Sequence, residues 1–233
     1  MCSVIGALIQ NPTPKDFEYI RNVFLESKIR GMHATGLSYI KDKITTLKQA
    51  VPADRFVHLD NLEEMVNDDG NLYLIGHCRY STSDLLYNQP IANEEHSIVH
   101  NGVITQELAE NWDKIFNYKC ETKNDSELVL HSDSPLEEYT DASMAVCELT
   151  VDKKLLVYRN GKRPLYLTSL VNGVIITSTA DISKRAGIKM PAVEVPMNTY
   201  ITFDELMTMN VEVVQTTKTD LQKVDYETQT ISN

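Results

Sequence analysis

No basic cluster, no long apolar run and no closely paired cysteines occur in this chain, and each absence excludes a class of protein. Across 233 residues, 22 Lys and Arg face 33 Asp and Glu, a formal charge of −11 with no concentrated Lys/Arg patch. A surface for nucleic acid or anionic membrane needs such a patch, so neither is expected as a partner. No apolar stretch approaches the roughly 18 residues of a membrane span. The first basic residue is Lys15, so the N-terminus lacks the charged n-region of a signal peptide. A soluble, cytoplasmic protein is the expectation. Cys2, Cys78, Cys120 and Cys147 are scattered without a Cys-x-x-Cys pair, which suggests neither a zinc site nor a disulfide framework. No internal repeat and no Pro/Gly-rich linker interrupts the chain. One α+β domain with mostly antiparallel sheets is expected over residues 1–217, followed by a polar C-terminal tail over 218–233 with little apolar pattern.

What is present begins at the first residues. Met1-Cys2-Ser3-Val4-Ile5-Gly6-Ala7-Leu8-Ile9 runs from a cysteine beside the initiator straight into an apolar strand. Removal of Met1 would leave Cys2 with a free α-amine. A thiol has a reference pKa of about 8.5 and an α-amine titrates near 7.7–8.0, so one residue would carry both nucleophile and base. Cysteine is equally a good buried hydrophobe, and that reading stays open for Cys2 alone. Thr13-Pro14-Lys15-Asp16 marks a helix start, followed by Phe17, Ile20, Val23 and Phe24 at helical spacing, running out near Arg30-Gly31.

Two short strands around Lys41-Asp42-Lys43, a short helix over 59–66 and a buried strand over 72–80 come next. A strand over 97–100 is broken by Asn101-Gly102, a hairpin-type dipeptide. Helical patterns cover 105–112, 125–131 and 135–149. Strands are expected over 154–158, 165–168, 174–178, 200–203 and 211–214, with Asn160-Gly161 and Asn172-Gly173 as hairpin-like turns.

Polar chemistry collects where these elements end. Arg79 closes an apolar strand, where a guanidinium suits a planar, two-bond grip on a carboxylate, or sits at the surface. Asn101-Gly102 is a turn by default, yet an amide beside a glycine N–H also makes two donors that can converge on a developing oxyanion. Asp125 is most simply an N-cap, and as a carboxylate it could instead bind an ammonium group. His33, His77 and His100 lack the spacing of zinc motifs, and no metal is expected there.

In their order, Cys2, then Gly76-His77-Cys78-Arg79-Tyr80-Ser81-Thr82 with Asn88-Gln89-Pro90, then His100-Asn101-Gly102, then Asn124-Asp125-Ser126-Glu127 resemble the glutaminase domain of class II glutamine amidotransferases. The resemblance covers most of the chain and is densest over 76–102. Residues 159–165 are similar to the family's Arg-Asp…Arg-Pro-Leu segment. It implies a four-layer αββα sandwich of antiparallel sheets, the fold of N-terminal-nucleophile hydrolases. It also implies a role for each matching residue: Cys2 as nucleophile, Asn101 and Gly102 as oxyanion hole, Arg79 on the glutamine α-carboxylate, Asp125 on its α-amine, Thr82 on the substrate, and Arg30 beside the nucleophile. His33, Ser83-Asp84, Asn160 and Ser178-Thr179-Ala180 depart from the family pattern without removing any of these. The family's best-known members carry a phosphoribosyltransferase or sugar-isomerase domain behind the glutaminase.

The expectation is a stand-alone glutaminase that hydrolyses L-glutamine to glutamate and ammonia through a Cys2 γ-glutamyl thioester. It needs no cofactor and passes ammonia to a separate synthase subunit. The alternatives are an amide hydrolase of the same kind acting on another γ-glutamyl or acyl amide, and a catalytically silent glutamine-binding regulatory subunit.

Overall fold

A computed structural model describes residues 2–81 and 86–214 of the chain. Thr82, Ser83-Asp84 and the proposed tail at 218–233 lie outside the described residues. Among the described residues, thirteen strands and five short or medium α-helices follow in the order β1 Ser3–Gln10, α1 Pro14–Ser27, β2 Ala34–Ile40, β3 Ile44–Gln49, β4 Asn71–Arg79, β5 Ile91–Ala92, β6 His96–His100, α2 Trp112–Ile115, α3 Ser126–His131, α4 Pro135–Glu138, β7 Ala145–Thr150, β8 Lys154–Arg159, β9 Tyr166–Ser169, β10 Gly173–Thr177, α5 Ala180–Arg185, β11 Ala192–Glu194, β12 Thr199–Phe203 and β13 Met209–Val213.

The strands form two sheets, a seven-stranded one in the order β11-β9-β10-β1-β4-β2-β3 and a six-stranded one in the order β13-β12-β8-β7-β6-β5. All of the pairings are antiparallel.

Strand parity explains why two sheets stack with helices outside. In β1, Ile5, Ala7 and Ile9 join Phe17, Ile20 and Phe24 of α1 in one core, whereas Val4 and Leu8 face the other way. That second core lies between the sheets, where Tyr73 and Ile75 of β4 meet Val99 of β6, Cys147 of β7 and Val157 of β8. A third core holds Ile98 and Val146 against Trp112, Leu128, Val129 and Leu136 of the helical layer. Each side chain of this size is worth about 1.5–3 kcal/mol when fully buried, so a period-two pattern with both faces apolar commits β1 and β4 to central positions. The four-layer αββα order anticipated from the sequence is the one observed.

The opening helix begins as its sequence indicates. Asp16 Oδ2 accepts both the Thr13 N–H and the Thr13 hydroxyl at 2.7 Å, fastening the N-cap residue to the first turn at the positive end of α1. Other expectations are corrected. The short helix expected over 59–66 forms over 57–65, wound as a 3-10 helix with a break at Asn61. The helical pattern over 135–149 ends after one turn at Glu138, and Ala145–Thr150 is strand β7. There Ala145, Cys147 and Leu149 face the inter-sheet core while Met144 and Val146 face the helices, so two apolar faces at period two override the helical reading. Asn101-Gly102 does not reverse the chain: Asn101 and Val103 continue the ladder beside β7, pairing with Ala145 and Ser143. Asn172-Gly173 does join a hairpin, β9 to β10. Asn160-Gly161 instead carries the chain from one sheet to the other, because β8 and β9 belong to different sheets.

Candidate active site

The site grows out of one end of the inter-sheet layer. Ser3 pairs with Cys78 in the β1/β4 register, so one step further Cys2 stands opposite Arg79. Parity turns Cys2 with Val4, and His77 and Arg79 with Ile75, toward the second sheet. From that sheet Asn101 has the parity of Val99 and faces back, while His100 has that of Ile98 and faces the helices. His77 bridges the two, since its imidazole interacts with the backbone of His100.

Cys2 is half-buried and free, with a long contact of 3.9 Å from its Sγ to the Tyr80 carbonyl. Arg30 donates its Nε–H to the Cys2 carbonyl at 3.1 Å, holding the chain end in place. Gly31 lets that happen. A Cβ there would stand 2.2 Å from the Cys78 carbonyl oxygen, so only glycine lets the 30–31 segment lie on the end of β4. His33 reinforces the same corner: its Nδ1 accepts the Ser81 N–H at 2.9 Å and its ring lies 4.8 Å from that of Tyr80. Burial pushes the other thiols up, to about 12 for Cys78, the same for Cys120 with help from Glu127, and higher still for Cys147. A thiol held protonated is a poor nucleophile.

Asn101 is buried, and both of its backbone groups bond Ala145 at 2.9 and 3.1 Å. Its side-chain Nδ2 is buried with no acceptor among the described residues. The Gly102 N–H likewise finds no acceptor among the described residues, being turned away from β7 between two paired neighbours. A Cβ at Gly102 would fall 1.7 Å from the Ser143 carbonyl oxygen and 2.6 Å from His100 Nε2, which requires glycine here.

Beneath this corner Gln89, Ser126 and His100 close a ring of three bonds, with a fourth branching to Ser143. Gln89 Nε2 donates to Ser126 Oγ (3.0 Å), Ser126 Oγ lies 2.8 Å from His100 Nδ1, His100 Nε2 lies 3.1 Å from the Ser143 carbonyl, and the His100 N–H donates to Gln89 Oε1 (2.6 Å). One assignment satisfies all four, with a neutral His100 that carries its proton on Nε2. Burial lowers the His100 pKa accordingly, against the pull of the nearby Asp125 carboxylate. The His77 pKa is lowered to about 3 by complete burial and by the neighbouring His100 and Arg79.

Arg79 commits Nη1 to the Asn88 Oδ1 at 2.7 Å and the Tyr87 carbonyl at 3.1 Å. Among the described residues no acceptor meets its Nε or Nη2, which is the edge a carboxylate would take. Asp125 occupies the N-cap position of α3 but does not cap it. Its Oδ2 turns back to the N–H groups of Ile104 (2.7 Å) and Thr105 (3.4 Å), leaving Oδ1 unengaged among the described residues, and Asn124 Oδ1 accepts the Ser126 N–H instead. The expected capping role is thus replaced by a bond across the loop that follows Gly102.

Arg163 enters this neighbourhood unannounced. Its charge lowers the pKa of both Arg30 and His100, after burial in each case, and its Nε is buried without a partner. Its sequence signal was the Arg-Pro-Leu triplet at 163–165. Asn88 is a second such residue, visible as Asn88-Gln89-Pro90. The structure therefore sets Cys2, Arg30 and Arg79 at one end of the first sheet and Asn101, Gly102 and Asp125 at the end of the second, with Arg163 acting on both Arg30 and His100, while Thr82 lies outside the described residues. Two clefts, of about 650 and 540 Å³, lie over the His96 edge of β6 and beside Trp112 and Cys120.

Comparison with solved structures places this architecture. The chain matches the glutamine phosphoribosylpyrophosphate (PRPP) amidotransferase of B. subtilis with a TM-score of 0.68 and 18% identity over 91% of this chain and 49% of that one. A structure described as the allosteric regulatory enzyme of purine biosynthesis gives 0.71 at 18% identity with the same coverage. A glutamine aminotransferase class-II domain protein from Silicibacter pomeroyi gives 0.56 at 13% identity, over 91% of this chain and all of that one. The chain spans about half the length of the first two. No protein-family model and no curated protein matches the sequence. The fold is that of class II glutamine amidotransferase structures, the class that the sequence resembles. Among the described residues no helix is long and apolar enough to cross a membrane.

Proposed function

We propose that this chain is a glutaminase of the class II amidotransferase type, which hydrolyses L-glutamine to glutamate and ammonia. The observation that supports this most is the amide of Asn101, a buried donor without an acceptor at the sheet end where Cys2 also stands. A buried polar group left unpaired costs about 1–3 kcal/mol, so it calls for an occupant. With Met1 removed, the Cys2 α-amine takes the thiol proton, and sulfur attacks the γ-carboxamide carbon. The carbonyl electron pair moves to oxygen, where the Asn101 Nδ2–H and Gly102 N–H receive it. Collapse expels the amide nitrogen, which takes the proton back and leaves as ammonia. The γ-glutamyl thioester is then cleaved by water, with the amine as base once more, releasing glutamate and the thiol.

The remaining residues read the amino acid. The Nε/Nη2 edge of Arg79 takes the α-carboxylate and Oδ1 of Asp125 the α-ammonium, a charge pattern matched to a zwitterion. Thr82 contributes a further substrate contact, and Arg30 keeps the Cys2 backbone in line. No cofactor takes part. The glutaminase domain extends over 1–217, and the protein acts in the cytoplasm.

Free ammonia is mostly protonated and non-nucleophilic near neutral pH, so we take its acceptor to be held on a separate synthase subunit docked around residues 30–36 and 81–90. Ile29, Met32, Tyr80 and Val103 are large, exposed and apolar around this corner, as a docking rim would be.

Intact mass and a glutamate-release assay on one preparation test the chemistry. Activity should track the fraction beginning at Cys2, vanish in Cys2→Ala and survive in Cys78→Ala and Cys147→Ala. Full activity in protein that wholly retains Met1 would sink the mechanism. Addition of proteins that co-purify from the native cell should raise the rate.

A further inference from the structure

Away from the sheet-end site, three ligand-type side chains converge in the helical layer over the second sheet. Cys120 lies in the loop before α3, and Glu127 and His131 stand on α3 at i and i+4, a spacing that puts them on one face. One donor atom from each lies within 4.8 Å of the others. Glu127 Oε1 is 3.7 Å from His131 Nε2. That Nε2 is buried and has no hydrogen-bond partner among the described residues. The surrounding groups are already held. Glu127 accepts the Glu121 and Thr122 N–H groups at 2.6 Å on its two oxygens, and the Tyr118 ring stacks on the His131 imidazole at 5.5 Å. Each carboxylate oxygen has a second lone pair, so these bonds orient the ligand without exhausting it.

We propose that Cys120, Glu127 and His131 form a three-ligand site for a thiophilic divalent cation, zinc in particular. A thiolate, a carboxylate and a neutral imidazole together carry a charge of −2, which a divalent ion cancels. The donor mix of sulfur, nitrogen and oxygen suits zinc, whereas magnesium and calcium take oxygen ligands. Zinc bonds of about 2.0–2.3 Å put neighbouring corners of a tetrahedron about 3.3–3.8 Å apart. The present spacing therefore needs a contraction of about one ångström, within the reach of side-chain rotation. On binding, the Cys120 sulfur exchanges its proton, released to solvent, for the metal bond. Cys120 also lines the cleft formed with Tyr118, Lys119 and Glu121, through which a cation and water could approach. An ion here would pin the 118–123 loop to α3, at whose N-terminal end Asp125 stands. The site does not depend on the amide chemistry proposed above.

Metal-stripped protein titrated with Co²⁺ and then Zn²⁺ tests this. One equivalent of Co²⁺ should give a thiolate-to-cobalt charge-transfer band in the near ultraviolet, Zn²⁺ should displace it, and Zn²⁺ should raise the melting temperature. Cys120→Ser should abolish the band and His131→Gln should weaken Zn²⁺ binding by at least about tenfold, while Cys2→Ala should leave both intact. The absence of any such band in the wild-type protein overturns the proposal. So does a band that survives Cys120→Ser and disappears in Cys2→Ala, which would put the ion on the sheet-end thiol. Circular dichroism checks each variant, and if Cys120→Ser fails to fold, His131→Gln decides.

Discussion

Asn101→Ala should separate catalysis from folding. The Asn101 backbone is fully used in the ladder beside β7, and alanine keeps those bonds. What the substitution removes is a buried amide whose Nδ2 has no acceptor. Leaving a donor unpaired costs about 1–3 kcal/mol, and deleting it relieves that cost. The packing lost with a side chain this small is about 1 kcal/mol. The two oppose each other, so the melting temperature should stay within about 4 °C of wild type, at about 2–4 °C per kcal/mol for a chain of this size. Turnover should behave differently. Loss of one oxyanion donor costs about 10²–10³ in kcat, or about 2.7–4 kcal/mol, with little change in KM because the bond matures only in the transition state. Calorimetry and steady-state glutamate release on one preparation provide the comparison. If the amide were instead a structural strut, the variant would melt well below wild type while each folded molecule turned over normally. That pair of results would refute the reasoning.

The remaining predictions concern recognition and acid. Arg79→Lys should lower kcat/KM for glutamine roughly ten- to hundredfold, since an ammonium cannot hold Asn88 and a carboxylate in one plane, and a lost charge-assisted bond costs about 1.5–3 kcal/mol. Asp125→Asn should do the same, and unaltered kinetics in both variants would mean that other groups read the amino acid. Acid should destabilise the protein through His77 and His100, whose folded pKa values lie below the ordinary 6.5. The unfolded chain then binds protons that the folded one refuses. Stability is fully present above about pH 6.5 and falls below it by up to about 1.4 kcal/mol per pH unit for each histidine, continuing toward pH 3 for His77. Denaturant midpoints between pH 7 and 5 should fall less steeply in His77→Gln, and an unchanged slope would show that His77 does not titrate in that way.

Local signals carried much of the architecture. Pro14 behind Thr13, the apolar spacing of α1, and the continuous apolar runs of β1 and β4 are short-range patterns, and each element formed where they indicate. The segment over 135–149 failed for a related reason. Its helix start is real and yields α4, but Ala145–Thr150 is held between its hairpin neighbour β8 and β6, and the β6 partner at His96–His100 lies far back in the chain, outside any local window. Asn160-Gly161 and Asn101-Gly102 show the same limit: a dipeptide states that the backbone can turn, while the sheet that receives the next strand decides whether it does.

For the candidate site, residue type and order along the chain were legible: a cysteine behind the initiator, an arginine closing a strand, an amide beside a glycine, an acid before a helix. Their convergence is set by the β1/β4 register and by the stacking of the two sheets. Each can be specified only when strands far apart in sequence pair, because a shift of one residue would turn Cys2 and Arg79 to the opposite face. The tertiary structure alone decided that the Asn101 amide is buried without an acceptor, that Asp125 bonds Ile104 rather than its own helix, and that Arg163 lies near Arg30 and His100. Chemical capacity belongs to individual residues and can be read from the sequence. Burial, pairing and the field between distant charges depend on which groups the folded chain brings into contact.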